Sequence, residues 1–379
     1  MKKILLFCFC ATLMHCATTA RAGGPLLTYG NCNPVVFPKG DMPIPYTVDQ
    51  GPLGKFSNSE AIAIVDECFA VWQAVPTVAV SFLNAGFLPE DITQNNVEGY
   101  LKNISGKGIS PVIFDTDGGI IDYYFGFGAS DNIIGFSGSN TDSTGTHYTD
   151  GLSLLNGRFT QGPYNWTPAL FKATFVHEFG HFIGLDHTQI NLQYVHDGNT
   201  ANDIYIPTMF PTATDDDTPL GDLNPDDEAA VTMLYPGSDS AVNAAYGRIS
   251  GTLHWRSGLP ARGANVVAVN INDEQMTRVS SVSDYCKQGD GSFEMLVPPG
   301  VYRFFVEPIY PSFTGGSSVG PYAETTISPS FIFPVIAKEY DETVTVAAGE
   351  TVSVDFVAWR NPLRPAPGLI EYLRALLGF

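Results

Sequence analysis

An α+β domain followed by an all-β sandwich is the architecture the sequence predicts, and a change of pattern partway along its 379 residues predicts it. Up to Pro236, strand-like apolar runs alternate with segments of helical spacing. From Gly247 onward only period-two strands and turns remain. A chain of this length is comfortable as two domains. The divisions fall at residues 1–22 as a leader, 23–236 as the first domain, 237–246 as a linker opened by Gly-Ser-Asp-Ser, 247–359 as the sandwich, and 360–379 as a tail that reads as a short amphipathic helix.

Within the first domain, Ser57-Asn58-Ser59-Glu60 forms a capping box, and Ile62, Val65, Phe69 and Trp72 follow at helical spacing, so one apolar stripe packs on a sheet. Val78 to Leu83 and Pro111 to Asp115 read as strands. Asn132 to Gly138 reads as an edge strand along which an extended peptide could lie, which makes Ile134, Gly135 and Phe136 candidate substrate contacts. Thr167 caps a helix with Pro168 at its first position, running through Phe171 and Phe175. A closing helix is capped by Asn224, with Pro225 first and Asp226, Asp227 and Glu228 complementing the positive end of its dipole. In the sandwich, Ala264 to Ile271, Ser292 to Val297, Val301 to Glu307 and Glu342 to Val346 are strands, joined by turns such as Pro298-Pro299-Gly300.

The most informative stretch is His177-Glu178-Phe179-Gly180-His181-Phe182-Ile183-Gly184-Leu185-Asp186-His187. Four residues apart on a helix, His177 and His181 project from one face and can meet at a single metal. Gly184 can end that helix in a left-handed turn, so that His187 returns as a third ligand. Three neutral imidazoles leave one tetrahedral position open, the arrangement of a catalytic zinc site. A water held there would have its pKa lowered to about 7, and Glu178 beside it could serve as the base. An amphipathic helix with satisfied histidines is the weaker reading, because it leaves the added glycine and third histidine unexplained.

This pattern, HExxHxxGxxH, resembles the signature of the metzincin metallopeptidases. The segment Ile206-Pro207-Thr208-Met209-Phe210-Pro211 resembles their Met-turn. The resemblance implies a twisted mixed sheet with an active-site helix, one catalytic Zn2+ on His177, His181 and His187, Glu178 as general base, Met209 beneath the metal, and a pocket walled partly by the turn up to Pro211. Ile44-Pro45-Tyr46-Thr47-Val48-Asp49 is similar to the first strand of the matrixin-like branch, and Leu223 to Pro236 to its closing helix. The implied activity is endopeptidase, with a protein or peptide as substrate. The branch's Pro-Arg-Cys-Gly latency segment is missing, and its second, histidine-rich zinc site has no equivalent, since His147 stands alone. The sandwich resembles the carboxypeptidase regulatory-like, transthyretin-like module. It reads either as a folding unit or as a binder of a surface polymer or protein. The alternative for the whole chain is a surface-binding or scaffold protein whose zinc is not catalytic.

Asp115-Thr116-Asp117-Gly118-Gly119 with Asp122 places carboxylates around a glycine turn, as a Ca2+ site would. It lacks the closing glutamate of an EF-hand, and an acidic hairpin turn is the competing reading.

Lys2 and Lys3 precede an apolar run, Ile4 to Met14, and Ala20-Arg21-Ala22 offers the small residues a signal peptidase reads, so cleavage after Ala22 and secretion are expected. His15 is bulky where a lipidation signal at Cys16 wants a small residue. Cleavage would leave Cys32, Cys68 and Cys286; Cys32 and Cys68 could form a disulfide in an oxidising compartment with Cys286 free, and Cys32 as a zinc ligand of an inactive form is the rival idea. The formal charge of −20 disfavours nucleic acid as a partner, and no stretch is long and apolar enough to span a bilayer.

Overall fold

A computed structural model describes residues 24–30, 32–101, 109–211, 221–285, 289–309 and 335–359. The leader, Cys16, Cys286 and the 360–379 tail lie outside the described residues. The architecture is α+β. The first domain opens with two short paired strands, β1 (Thr28–Tyr29) and β2 (Asn33–Pro34), followed by β3 (Ile44–Val48) and α1 (Asn58–Gln73). Next come β4 (Phe82–Phe87), α2 (Glu98–Leu101), β5 (Pro111–Asp115), α3 (Gly119–Phe125), β6 (Gly135–Thr141), β7 (Tyr148–Asn156), α4 (Pro168–Phe182) and α5 (Pro225–Leu234). A five-stranded sheet has the order β4-β3-β5-β7-β6, parallel except for β6, which pairs antiparallel with β7 at the edge.

Alternation along the strands splits the apolar side chains between two faces. Val112, Phe114 and Leu155 join the core that contains α1 and α4, whereas Ile113 and Leu154 pack with α3 residues Ile120 and Ile121 on the other side. The Ser57 capping box is present, and the buried stripe of α1 is Ala61, Ile64, Val65, Cys68, Phe69 and Trp72; Ile62 lies at its margin. Helix α1 locks onto α4 through stacked Phe69 and Phe179 rings (centroids 3.8 Å apart) and a Trp72 Nε1 hydrogen bond to Val176 O (2.8 Å). Strand β4 starts at Phe82, so the apolar run from Val78 is mostly the approach to the strand; Val78 itself bridges Pro236.

The expected linker contains a helix, α6 (Asp239–Ala245), capped by Ser238, and its Val242 and Ala245 pack on the second core. That core lies between two sheets. One has the order β10 (Arg278–Val282), β9 (Ala264–Asn270), β12 (Gly300–Pro308), β13 (Lys338–Val346); the other has β11 (Ser292–Val297), β8 (Gly247–Trp255), β14 (Thr351–Ser353), with β15 (Phe356–Ala358) also on β8. The predicted strands of this region are all present, with β13 beginning four residues earlier than Glu342.

Cys32 and Cys68, which the sequence leaves able to pair, are not bonded to each other. Cys68 is a buried free thiol on the α1 face that meets α4, its Sγ directed at Lys172 O, while Cys32 is disulfide-bonded to a partner outside the described residues. Among the described residues, no helix is long and apolar enough to cross a membrane.

Candidate metal centre

Helix α4 begins where the sequence places it: Thr167 Oγ1 accepts the Leu170 amide and Pro168 takes the first turn. Its last two turns carry His177, Glu178 and His181. Gly184 then turns the chain at φ +90°, where a Cβ would strike the Tyr148 ring at 2.6 Å. His187 is thereby returned to the helix. Gly180 is required for a different reason, since a Cβ there would meet Met209 Sδ at 2.3 Å and Trp72 Cζ2 at 2.9 Å. Met209 thus packs against the helix between the two histidine turns.

The three Nε2 atoms converge, at 3.0 Å between His177 and His181, 3.1 Å between His181 and His187, and 3.3 Å between His177 and His187. Their other nitrogens explain why the contact between His177 and His181 is not a hydrogen bond. His177 Nδ1 donates to Thr208 O (2.7 Å) and His181 Nδ1 to Leu185 O (2.8 Å). A carbonyl only accepts, so both Nδ1 atoms carry the proton and both Nε2 atoms present lone pairs. Burial also keeps the rings neutral, lowering His177 to about 4 and holding His181 and His187 well below the usual histidine value. Lone pairs facing each other at 3.0 Å repel unless a cation lies among them. Nitrogens bound tetrahedrally to zinc would stand about 3.3 Å apart, given bonds of about 2.0–2.1 Å. The donor set therefore fits a metal ion, and among the described residues these three histidines are the group able to hold one.

Glu178 is fully buried beside them, and neither carboxylate oxygen has a hydrogen-bond partner among the described residues. Burial pushes its pKa up to about 8; the nearby Ser137 amide on β6 opposes the rise without reaching hydrogen-bond geometry. Gly135 on β6 lies against this acid, where a Cβ would make ordinary contact with Glu178 Cγ at 3.6 Å; the tighter approach is to Leu154 O at 2.9 Å. Ile134 and Phe136 are buried in the two cores, so β6 has backbone rather than these side chains to offer an extended ligand. Pro211 is buried at the end of the turn.

One residue at the site was read in the sequence only as a helix-end charge. Asp227 of α5 accepts from the Thr208 amide (2.9 Å) and the Met209 amide (3.0 Å) as well as the Asn224 amide (2.9 Å). It clamps the turn whose carbonyl orients His177. The signal available was its place three residues after Asn224, where a capping carboxylate points back toward the preceding chain.

The aspartates expected to hold calcium are not brought together. Asp115 accepts the Ile120 and Ile121 amides (3.1 and 2.9 Å), Asp117 the Gly119 amide (3.0 Å) and Asp122 the Ser130 amide (2.8 Å). These carboxylates cap α3 and its neighbouring turns, and they do not gather around a common point. The competing reading, an acidic turn, is closer, with the turn leading into a helix rather than a hairpin. His147 likewise joins no metal-ligand group and bonds Thr146 Oγ1.

No protein-family model matches the sequence, and no curated protein matches it either. Among solved structures, the chain is similar over 31% of its length to the Bacillus anthracis TIE protein, at 16% identity, a TM-score of 0.19 and 17% of that chain. It is similar over 31% of its length to a DUF3823 family protein from Parabacteroides merdae ATCC 43184, at 16% identity, a TM-score of 0.20 and 47% of that chain. The chain thus spans less than half the length of either, and neither likeness is strong enough to bear on fold or function.

Proposed function

We propose that the chain is a secreted zinc-dependent endopeptidase of the matrixin-like metzincin type. The observation that carries this reading is the convergence of three neutral, buried imidazoles beside a buried carboxylate that has no hydrogen-bond partner among the described residues. A structural zinc site has no use for such an acid; a hydrolytic one does. Zinc, when bound, supplies Lewis acidity that polarises a scissile carbonyl and makes water acidic at neutral pH. Glu178 takes the proton from the attacking water and passes it to the leaving amine. His177 and His181 keep their ligating tautomer through Thr208 O and Leu185 O, so no reorganisation is needed when the ion arrives. Strand β6 offers its backbone edge next to the base, which suits an extended peptide. The basic, then apolar, then small-residue order of residues 1–22 supports export.

Glu178→Ala tests the reading. Zinc content should stay at the wild-type level while hydrolysis of an unfolded protein falls by about 10²–10⁴-fold. Zinc-loaded wild type that cleaves neither an unfolded protein nor a peptide library would overturn it.

A further inference from the structure

His187 differs from the other two ligands. It lies beyond the helix, on a loop, and its Nδ1 has no hydrogen-bond partner among the described residues. No carbonyl fixes its ring, so its position depends on the backbone that carries it. Ordering such backbone costs conformational entropy that other contacts must offset. The first domain holds the residues flanking His187, with the Asp186 amide on Gly24 O (2.8 Å) and the Thr188 amide on Met209 O (3.0 Å), and the β-sandwich holds the three that follow.

Gln189, two residues on, is buried and gives Nε2 to Glu307 Oε1 (2.8 Å) and Pro308 O (2.9 Å) on β12; Asn265 Nδ2 on β9 holds the same Glu307 oxygen at 3.0 Å. Ile190 is buried among Val267 and Val269 of β9 and Phe305 of β12. Asn191 bonds Gln275 O (3.2 Å) ahead of β10 and Tyr205 O (2.6 Å) ahead of the Met209 turn. From the other side, Ser280 N on β10 donates to Asp226 (2.9 Å), the neighbour of the Asp227 clamp. Ile206 and Phe210, which flank the Met209 turn, share a buried cluster with Val282, Tyr285 and Ile309.

We propose that the β-sandwich is a built-in part of the metal centre, and that Gln189, anchored on Glu307 and Pro308, is a positioning residue that fixes the loop bringing His187 to the other two histidines. This deepens the reading of the triad as a metal site and rests on it. A detachable binding module would leave the His187 loop to the first domain alone; here Gln189, Ile190 and Asn191 are also held by the second.

The experiment uses the full chain, with zinc affinity measured by chelator competition and the visible spectrum of the Co2+-loaded protein as a report on ligand geometry. Gln189→Ala and Glu307→Ala should each weaken zinc binding about tenfold and alter the Co2+ spectrum. Glu307→Gln, which keeps an acceptor for Gln189, should restore both toward wild type. Phe356→Leu, in the sandwich core away from the loop, should lower the melting temperature and leave affinity and spectrum unchanged. Wild-type affinity and spectrum in both alanine variants would overturn the proposal, as would equal zinc weakening in Phe356→Leu. Wild type that binds neither metal would overturn the metal-site reading itself, a result distinct from either of these.

Discussion

Two clusters in the first domain carry the residues of a metal site, and they differ in what their polar atoms are already doing. In the Asp115–Asp122 turn, each aspartate has at least one oxygen accepting a backbone amide, so these side chains fix helix α3 and the turns beside it. In the His177–His187 segment, the protein occupies the far nitrogens of two rings with carbonyls and leaves all three near nitrogens pointing at one another. Carboxylates that spend oxygens on separate local amides, without a common point, form no cage. Imidazole nitrogens left facing like partners call for an ion.

The largest effect that would sharpen this contrast is on metal content. His181→Ala should reduce bound zinc to background, whereas Asp122→Ala should leave zinc stoichiometry unchanged; elemental analysis of the purified chains checks both. Retention of zinc by His181→Ala would break the comparison.

Next in size is the clamp. Removing the Asp227 carboxylate frees the Thr208 and Met209 amides and loosens the carbonyl that orients His177. Asp227→Ala should therefore weaken zinc about 10–100-fold and lower the melting temperature, read by chelator competition and calorimetry. An unchanged affinity would mean that the turn does not orient the ligand.

A smaller effect concerns Asp115 and pH. Burial lifts this carboxyl to about 6 from an ordinary 3.8, against the pull of the Ile121 and Ile120 amides. Because the folded value is raised, the contribution to stability is complete below pH 3.8 and is lost as pH rises through about 6. Asp115→Asn, which cannot ionise, should compare better with wild type at pH 7 than at pH 4, by no more than about 3 kcal/mol. Denaturant unfolding at the two pH values measures the difference, and a constant gap would contradict it. The smallest effect is expected from calcium itself, whose addition should leave the melting temperature of the wild type where it was.

Much of this was legible in the sequence because it is local. The α4 cap at Thr167, the turn at Gly184 and the four-residue spacing of His177 and His181 follow from helix geometry and backbone sterics. The capping box at Ser57 and the α5 start at Asn224 are equally short-range. What was missed depends on contacts distant in the chain. Asp227 becomes a clamp only because α5 is folded against Thr208 and Met209, and Gln189 becomes an anchor only because β12 lies beside it. Cys32 and Cys68 seemed paired because both precede or lie on early elements, yet Cys68 faces Lys172 within the α1–α4 contact. The aspartates of the Asp115 turn teach the same lesson: spacing shows that carboxylates are close, and only the fold shows which amides they accept.

The account rests most directly on the zinc stoichiometry of the purified full-length chain, measured by native mass spectrometry before and after chelation. One zinc per chain, removed by the chelator and absent from His181→Ala, is the predicted result. A chain that takes up no zinc, or holds it equally well without the His181 imidazole, would contradict the claim that these three nitrogens form a metal centre.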